Sequence, residues 1–267
     1  RFLQAPAGDW ENAGKRVRQF FEPAQTNWEA PREITVVRLV NGKPDIKPAP
    51  SSEVVLDVQQ VGVLTSQGML KKPTSQTKRY TFAVVPADQP QGYAVVDPPP
   101  VMLLTDTALN EWYEQRPIYF WDTDRRGLVP DLRYLPKAVK VDERPRVLID
   151  WLLGGPVDWL RPSVLELPEG TKRLGNAYKN DGKLIVDLNR AATDQNLDQL
   201  LAQLCWTLRY DFVGNVVLQI ELQPRVEGSY ANYKSANPTY RLRQAGIQGY
   251  AVADGGIHRI AEFSEKS

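Results

Sequence analysis

The sequence predicts an α+β protein of two domains, on three observations. After a short helical segment come several runs rich in Val, Ile, Thr and Tyr with turn formers between them, which is typical of a curved antiparallel sheet with helical cover. A second set of strands with two amphipathic helices begins near Pro117. The chain of 267 residues is also longer than one hydrophobic core usually serves, since a domain holds about 150 residues.

The first predicted domain opens with a helix and continues as strands. Apolar residues recur among charges from Asp9 to Glu22, the pattern of a short amphipathic helix that Pro23 ends. Thr105 or Asp106 is predicted to cap a second helix that runs to about Tyr113. The predicted strands between these helices are Ile34 to Val40, Glu53 to Val63, Arg79 to Val85, Gln91 to Val96 and Val101 to Leu104.

The junction between the two predicted domains lies at Arg116-Pro117. Proline disfavours helix in the residue before it, and the residues that follow have a strand pattern. An acidic turn from Thr123 to Gly127 is then predicted to join two strands. The apolar residues assigned to this hairpin are Ile118, Phe120, Val129, Leu132 and Leu135.

Two helices and further strands complete the second predicted domain. One helix opens at Arg144-Pro145, where proline is tolerated because that N–H has no partner anyway, and ends at Gly154-Gly155-Pro156. Another carries an apolar stripe from Leu197 to Leu208, with Thr193 or Asp194 as its predicted N-cap. The predicted strands are Leu174 to Tyr178 and Leu184 to Leu188, joined by a turn at Asn180-Asp181-Gly182, and a closing strand from Asn215 to Leu222.

The last part of the chain has a different texture. Gly228 to Pro238 is polar and turn-like, and Gly249 to Ile260 has the pattern of strand, turn and strand. A hairpin of this kind is marginal by itself in water, so it is expected to pack elsewhere or to belong to a longer region. The predicted domain limits are therefore 1–116, 117–225 and 226–267.

The charge composition argues against binding to nucleic acid or to a membrane surface. The 33 basic and 32 acidic residues give a net charge of +1, and the basic residues are scattered. The densest basic segment, which includes Lys71, Lys78 and Arg79, is predicted to be a solvated hairpin tip, with contact to anionic lipid as the alternative. The residues contain no run of 18 apolar positions and no apolar segment at the start, so neither a membrane span nor a signal peptide is predicted.

Residues that usually carry metal or acid-base chemistry are scarce. The single histidine, His258, follows a predicted Asp254-Gly255-Gly256 turn and is interpreted as a surface hairpin residue. The single cysteine, Cys205, lies on the apolar side of a predicted helix and is interpreted as a buried hydrophobe. Zinc sites generally need several such ligands. Because G-x-S-x-G and phosphate-binding glycine motifs are also absent, the sequence predicts no enzyme, catalytic residue, cofactor or metal.

The segment from Asp122 to Gly127 begins like a calcium loop, with carboxylates at positions one and three and glycine at six. Arg126 and Arg133 would then occupy positions five and twelve, where the ion needs oxygen ligands. A turn between strands is the better interpretation. The seven tryptophans are the remaining candidates for recognition. Most are expected in the core, with a minority on a recognition surface.

Several strings resemble known families. PIYFWDTDRRGLVPDLRYLP, RVLIDWLLGGP, NDGKLIVDLNRAA and DQLLAQLCWTLRYDFVGNVVLQIEL resemble the GerMN domain, from about Pro117 to Gln223. VRQFFEPAQTNWEAP and LLTDTALNEWYEQRPIYF resemble the LpqB family of actinobacterial extracytoplasmic lipoproteins, as does the tail QAGIQGYAVADGGIHRIAEF. The resemblance implies a cone-shaped nuclear-transport-factor-like domain, a GerMN α/β sandwich and the first strands of a propeller-like region.

The resemblance also implies a function. It indicates a membrane-anchored accessory protein that contacts the outer domain of a sensor histidine kinase of an MtrAB-type two-component system. The implied roles are envelope homeostasis, cell division and sporulation. The lipidated cysteine of the family is absent from this sequence, because Cys205 lies in mid-helix. Anchoring is thus expected only for a parent protein whose anchor lies outside this chain.

Two alternatives stay open. The cone could hold a small ligand or support catalysis, with Tyr93, Asp57 or Arg79 as converging polar groups, or exposed Trp and Tyr could bind wall polysaccharide. For the leading hypothesis of a protein-contact module, the predicted contact residues lie on the rim of the hairpin. They are Tyr119, Trp121, Arg126, Arg133 and Tyr134.

Overall fold

The computed structural model describes residues 1–24, 27–47, 52–73, 76–87 and 92–237, together with the backbone of 249–253 and 256–260. These residues form two compact units. The first unit comprises Arg1–Ile118, Asp131–Leu160 and Tyr210–Phe212. The second comprises Tyr119–Pro130, Arg161–Arg209 and the described residues from Val213 onward. Helices and strands occur together in both units, which confirms the α+β class.

Four α-helices and fifteen strands occur in the described residues. The helices are α1 (Ala13–Arg18), α2 (Asp106–Trp112), α3 (Arg144–Leu153) and α4 (Leu197–Leu208). The strands are β1 (Ile34–Leu39), β2 (Asp45–Lys47), β3 (Glu53–Leu64), β4 (Leu70–Lys71), β5 (Thr77–Pro86), β6 (Tyr93–Val96), β7 (Leu103–Thr105), β8 (Tyr113–Trp121), β9 (Leu128–Pro136), β10 (Tyr178–Asn180), β11 (Lys183–Leu188), β12 (Val216–Ile220), β13 (Gln223–Gly228), β14 (Gly249–Ala253) and β15 (Gly256–Ile260).

The first unit is built on a seven-stranded sheet in the order β6-β5-β3-β1-β7, with β2 and β4 also paired to β3. Its pairs are antiparallel except for β1 with β7. Strand β5 shows the period of two expected of a half-buried strand, since Tyr80, Phe82 and Val84 are buried and the residues between them are exposed. The five strands predicted in this region are therefore confirmed, whereas β2 and β4 were not predicted.

Helix α1 is shorter than the predicted helix from Asp9 to Glu22. The carboxylate of Asp9 accepts hydrogen bonds from the backbone and side chain of Asn12 before the helix begins. At the other end Phe21 forms a bridge with Val95 of β6, which draws the chain out of helical geometry. The helix therefore ends before Pro23 is reached, because the following residues pair with β6.

Helix α2 begins at Asp106, and Thr105, one of the two predicted caps, is its N-cap. The side chain of this residue accepts a hydrogen bond of 3.2 Å from the backbone N–H of Ala108 and caps the first turn. The helix ends at Trp112, and β8 begins at the next residue. Strand β8 runs through Arg116-Pro117 without interruption, and β13 runs through residue 225. The domain limits stated above stay a prediction.

The β8–β9 hairpin has the predicted turn, and its second strand has charged residues on the buried face. Asp131, Arg133 and Leu135 of β9 are buried, whereas Leu132 is exposed. Leu132 belongs to the predicted hairpin but faces solvent, because strict alternation along a strand places it opposite Arg133.

The second unit contains a four-stranded sheet in the order β10-β11-β12-β13. Strands β11 and β12 are parallel, and α4 lies between them in sequence. The segment from Leu174 to Tyr178 is not the predicted strand, since β10 starts at Tyr178 and is three residues long. Strand β12 does not close the sheet either, because β13 pairs with its outer edge.

Helix α4 is buried over nine consecutive residues from Leu200 to Leu208. Two of them are polar and bind the backbone of Tyr119. Gln203 donates to the carbonyl at 3.3 Å, and Thr207 accepts from the N–H at 3.2 Å. The predicted caps Thr193 and Asp194 were wrong. They lie in a preceding 3-10 helix, and Asn196 caps α4 by accepting from the N–H groups of residues 198 and 199.

Strands β14 and β15 form the hairpin predicted between Gly249 and Ile260. His258 lies on β15, paired by its backbone with Ala251, and its side chain is outside the described residues. The predicted turn at Asp254-Gly255 is also outside them.

Candidate functional site

A cavity of about 520 Å³ lies against the sheet of the first unit. Its floor is formed by Leu56 of β3, Phe82 and Val84 of β5, and Val95 of β6, all of them buried. These residues come from three neighbouring strands, so the curvature of the sheet brings them together. The floor is a hydrocarbon surface without a polar side chain.

The wall of the cavity comes from the start of the chain. Phe2 and Leu3 of the 3-10 helix Phe2–Gln4 line it, together with Phe20. The Phe2 ring makes edge-to-face contacts with Phe20 and Phe82, at 5.9 and 5.3 Å between centroids. Such pairs are worth about 0.5 to 1.5 kcal/mol each beyond the area that they bury. The wall is thus held to the sheet by aromatic packing.

Polar side chains in the lining are few, and they are Arg1, Gln4, Tyr93 and Thr105. Thr105 already caps α2. Tyr93 is 54% exposed, although the next two residues of β6 are buried. Arg1, Gln4 and Tyr93 are exposed and Thr105 is half-buried, so the fully buried part of the lining carries no polar side chain.

The three polar residues suggested for a pocket, Tyr93, Asp57 and Arg79, do not all lie together. Tyr93 lines the cavity, but Asp57 and Arg79 do not. They form an exposed bidentate ion pair across β3 and β5, with N–O distances of 2.6 and 2.9 Å. Hydrogen bonding to Arg79 lowers the pKa of Asp57, and the same bonds raise the pKa of Arg79. Asp57 and Arg79 therefore do not converge with Tyr93 on this cavity, as the small-ligand alternative suggested they could.

A buried ion pair occupies strand β9. Nη2 of Arg133 lies 2.7 Å from Oδ2 of Asp131, which also accepts from the N–H of Val157 at 2.9 Å. The guanidinium further donates to the carbonyl oxygens of Gln67 and Gly155, at 3.1 and 2.8 Å. A buried charge held by so many partners is a structural group.

A second network of charges surrounds Asp211, whose side chain is 1% exposed. Its two oxygens lie 3.4 Å from Arg116 and 3.4 Å from Arg144. Glu114 contacts the same two arginines at 3.0 and 3.1 Å. Two cations and two anions thus form one compact, charge-balanced group.

Cys205 is buried in α4, as predicted, and its Sγ donates to the carbonyl of Gly228 at 3.6 Å. Burial raises the pKa of the thiol to about 12. Since the thiolate is the nucleophilic form, this cysteine is inert near neutral pH.

An aromatic cluster in the second unit surrounds Arg209. Its guanidinium lies 4.8 Å from the ring centroids of both Tyr119 and Trp206, and 5.9 Å from that of Tyr230. Trp206 in turn donates its indole N–H to the carbonyl of Tyr233 at 2.6 Å. The cluster combines cation–π contact with hydrogen bonding, and it fastens the 3-10 helix Tyr230–Ala236 to α4.

In the acidic turn between β8 and β9, the first carboxylate accepts a hydrogen bond from the backbone of the turn itself. Asp122 accepts a hydrogen bond of 2.7 Å from the N–H of Arg126, and its own N–H donates to Gly127 at 2.9 Å. Arg125 adopts φ of +57°, in the left-handed region. This is the turn chemistry expected from the sequence.

The five predicted contact residues have different environments. Tyr119 and Arg133 are buried, so the expectation that they form a contact surface was wrong. Trp121 and Tyr134 are half-buried, and the indole of Trp121 donates to the carbonyl of Gln199 at 2.9 Å. Arg126 is exposed. Trp121, Arg126 and Tyr134 stay predicted contacts.

Apart from Tyr93, sequence reasoning did not single out the residues that line the cavity, nor did it single out the most exposed tryptophan. Phe2 and Phe82 are far apart in sequence, and no local pattern relates them. Trp159 is 70% exposed, and Trp112 of α2 is also exposed, whereas Trp28, Trp151 and Trp206 are buried. A signal was present for Trp159, since it follows the helix stop Gly154-Gly155-Pro156 in a proline-punctuated loop.

Two further findings concern metal binding and membrane crossing. Within the described ranges, no three His, Cys, Asp or Glu side chains come together as a metal site would require. In the same part of the chain, every helix is too short or too polar to cross a bilayer.

The fold and the site define an α+β module whose buried charges are used for structure. Residues 117–225 match the family model described as "Germane: Sporulation and spore germination". This family is the GerMN domain that the sequence resembles.

Lipoproteins named LpqB are similar to this chain, two of them over most of its length. The protein of Rhodococcus opacus is 25% identical over 92% of this chain, and that of Rhodococcus jostii is 24% identical over 95%. The protein of Thermobifida fusca is 32% identical over 44%. The chain spans less than half of these relatives, namely 44%, 45% and 20% of their lengths. The chain is therefore LpqB-like, and the names of its relatives are not those of enzyme families.

The solved structures to which this chain is similar include the first GerMN domain of the sporulation protein GerM from Bacillus subtilis. It is 23% identical to this chain, with a TM-score of 0.32, and the match covers 42% of this chain and 86% of that one. A putative lipoprotein from Clostridium perfringens is 17% identical, with a TM-score of 0.26 and coverage of 42% and 78%.

Proposed function

We propose that this chain is part of an extracytoplasmic, membrane-anchored lipoprotein that works by protein contact and has no enzymatic activity. Its partner would be the extracytoplasmic domain of a sensor histidine kinase of the MtrAB type. Modulation of that kinase would serve envelope homeostasis, cell division or sporulation. The LpqB-like relatives, which are lipoproteins by name, support the location, with the anchor outside this chain.

The chemistry of the described residues supports a non-enzymatic role. Asp131 and Asp211 are buried carboxylates, and each is bound to arginine. Cys205 is buried with a raised pKa. Active sites usually hold groups whose pKa is tuned toward the working pH and whose partners leave them free to react. Here the groups that burial could have activated stabilise the fold.

The observation that carries the proposal of protein contact is the exposure of Trp159. A tryptophan that is 70% exposed leaves a large apolar surface in water. Tryptophan is also among the residues most enriched at the energetic centres of protein interfaces. Trp112, Tyr210 and Leu132 are further exposed apolar side chains of the same unit. We expect Trp159 to anchor the kinase contact.

The test is direct binding between the purified chain and the kinase domain. We expect Trp159→Ala to weaken binding at least tenfold, because interface anchors of this type cost about 2 kcal/mol or more on truncation. Tyr178→Ala is the matched control, since Tyr178 is an aromatic residue of the second unit that is 53% exposed, and it should leave affinity within twofold.

Two results would contradict the proposal. If the folded chain fails to bind while a longer protein binds, the contact lies outside these residues. If both variants weaken binding equally, Trp159 is not the anchor. Arg126→Glu and Trp121→Ala test the remaining predicted contacts in the same assay.

A further inference from the structure

We propose that the cavity of the first unit binds a single hydrocarbon chain, such as the acyl chain of a fatty acid. This inference is independent of the kinase contact, because it rests on a different surface of the first unit. The apolar lining of the cavity and its volume support this proposal.

The floor selects an apolar ligand. Leu56, Phe82, Val84 and Val95 are each less than 8% exposed, and none offers a hydrogen-bond donor or acceptor from its side chain. A sugar or a peptide backbone placed there would lose its hydrogen bonds to water without replacement. Leu39 and Val54, with Phe2, Leu3 and Phe20, extend the same apolar surface around the space. A hydrocarbon fits this lining.

The volume indicates one chain. A cavity of roughly 150 Å³ lined by apolar side chains is enough to bind benzene, which has six carbons. The cavity here, at about 520 Å³, is between three and four times that size. By the same proportion it accommodates roughly 18 to 24 carbons. That is the size of one long acyl chain.

The exposed side of the cavity suits the polar end of such a molecule. The hydroxyl-bearing Tyr93 lines the space and is 54% exposed, so it lies where the cavity meets water. Gln4 is a second polar side chain of the lining, at the end of the 3-10 helix that forms the wall. Together they offer hydrogen-bonding groups to a carboxylate or hydroxyl, while the chain occupies the floor. This division of labour is usual in ligand pockets, in which apolar walls give affinity and a few polar groups give orientation.

The experiment is a titration of the purified chain with saturated fatty acids of 6, 12 and 16 carbons, below their micellar concentrations. Binding is followed by displacement of a fluorescent fatty acid and by calorimetry. We expect saturable binding of one molecule per chain, with affinity that rises about fourfold for each added methylene until the cavity is full. Hexanoic acid should compete at least a hundredfold more weakly than hexadecanoic acid.

Two variants of adjacent residues localise the site. Val84 is on the cavity floor, and Val85 points to the opposite face of β5, where it is 38% exposed. Val84→Trp fills the space and should weaken binding of hexadecanoic acid at least tenfold, whereas Val85→Trp should not change it. If Val84→Trp fails to fold, Val54→Phe narrows the cavity from a half-buried position and should also weaken binding.

The proposal is overturned by any of three results. One is no saturable binding of any of the three acids to the folded chain. Another is equal affinity for hexanoic and hexadecanoic acid, which would mean that the polar end alone is recognised. The last is equal binding by the Val84→Trp and Val85→Trp variants, or unchanged binding by Val54→Phe where it replaces the former, since the chain would then lie on another surface.

Discussion

Arg133 and Asp131 lie two residues apart on β9 and form a buried ion pair, with 2.7 Å between Nη2 and Oδ2. Their side chains are 0% and 3% exposed. The period of two along a strand places both on the inward face, where each charge meets the other. The remaining hydrogen bonds of the guanidinium reach backbone carbonyls of Gln67 and Gly155, so the pair joins β9 to the turn after β3 and to the end of α3.

Removal of one partner should destabilise the first unit strongly. We expect Asp131→Asn to lower the free energy of unfolding by about 3 to 5 kcal/mol, because Arg133 would be left as an uncompensated buried charge. Urea denaturation followed by circular dichroism measures the change. Lys183→Gln is the control, since it breaks the exposed pair with Glu227, and it should leave the midpoint unchanged. Equal effects of the two substitutions would contradict the structural role assigned to Asp131.

A methyl group at Gly68 should be poorly tolerated. Its φ is +70°, and an added Cβ would lie 2.7 Å from Cη2 of Trp151 and 3.0 Å from the carbonyl oxygen of Tyr134. We expect Gly68→Ala to cost about 1 to 2 kcal/mol from backbone strain and about 1 to 3 kcal/mol more from overpacking. Gly42→Ala is a matched control, because Gly42 has φ of +68° and nothing within 4 Å of the added atom. Thermal unfolding should show a larger loss at position 68, and equal losses would remove the packing explanation.

The stability of the second unit should depend on Cys205 at alkaline pH. Burial raises the pKa of this thiol from 9.0 to about 12, so the folded chain keeps a proton that the unfolded chain releases. Its contribution is fully present below pH 9 and declines as pH rises from 9 toward 12, by at most about 1.4 kcal/mol per pH unit.

Chemical denaturation at pH 8, 9.5 and 10.5 measures this effect. Other groups also titrate in this range, so the informative quantity is the difference between the native chain and Cys205→Ala. The variant is expected to have a shallower loss of stability with pH. Parallel curves would show that the thiol does not contribute.

The structure and the sequence pattern assign different N-caps to α4, and mutation can distinguish them. Oδ1 of Asn196 accepts hydrogen bonds from the N–H groups of Asp198 and Gln199, at 2.9 and 3.2 Å. Asn196→Ala should therefore cost about 1 kcal/mol. Asp194→Ala, at the cap expected from the sequence, should change stability by less than about 0.5 kcal/mol, as surface substitutions usually do. Urea titration of both variants decides, and a larger loss at position 194 would restore the earlier assignment.

Periodicity predicted most of the regular elements because burial enforces it. The apolar stripe of α4 and the alternation of β5 both report one buried face, and the structure has both elements at the expected places. Strands β2, β4 and β10 are two or three residues long without a buried side chain, so they carry no periodic signal. Their pairing depends on a neighbouring strand, which local sequence does not specify.

The site was less predictable than the fold. Arg133 was expected at the surface because charged residues are rarely fully buried. Its burial depends on Asp131 and on carbonyls from two distant segments, which only the tertiary structure brings together. The cavity has the same character, since its wall comes from Phe2 and its floor from β3, β5 and β6. Tyr93 alone among the three suggested polar residues reaches it.

The uninterrupted course of β8 through Arg116-Pro117 has a practical consequence for anyone who divides this chain. An expression fragment that starts at Pro117 would lose Glu114 and Arg116 but retain Asp211 and Arg144. The excised piece would carry a severed strand and only one carboxylate and one arginine of the cluster, and an unpaired strand edge favours aggregation. A fragment cut before Tyr113 keeps the cluster whole but loses Gln67, whose carbonyl binds the buried Arg133, so neither position gives a clean terminus.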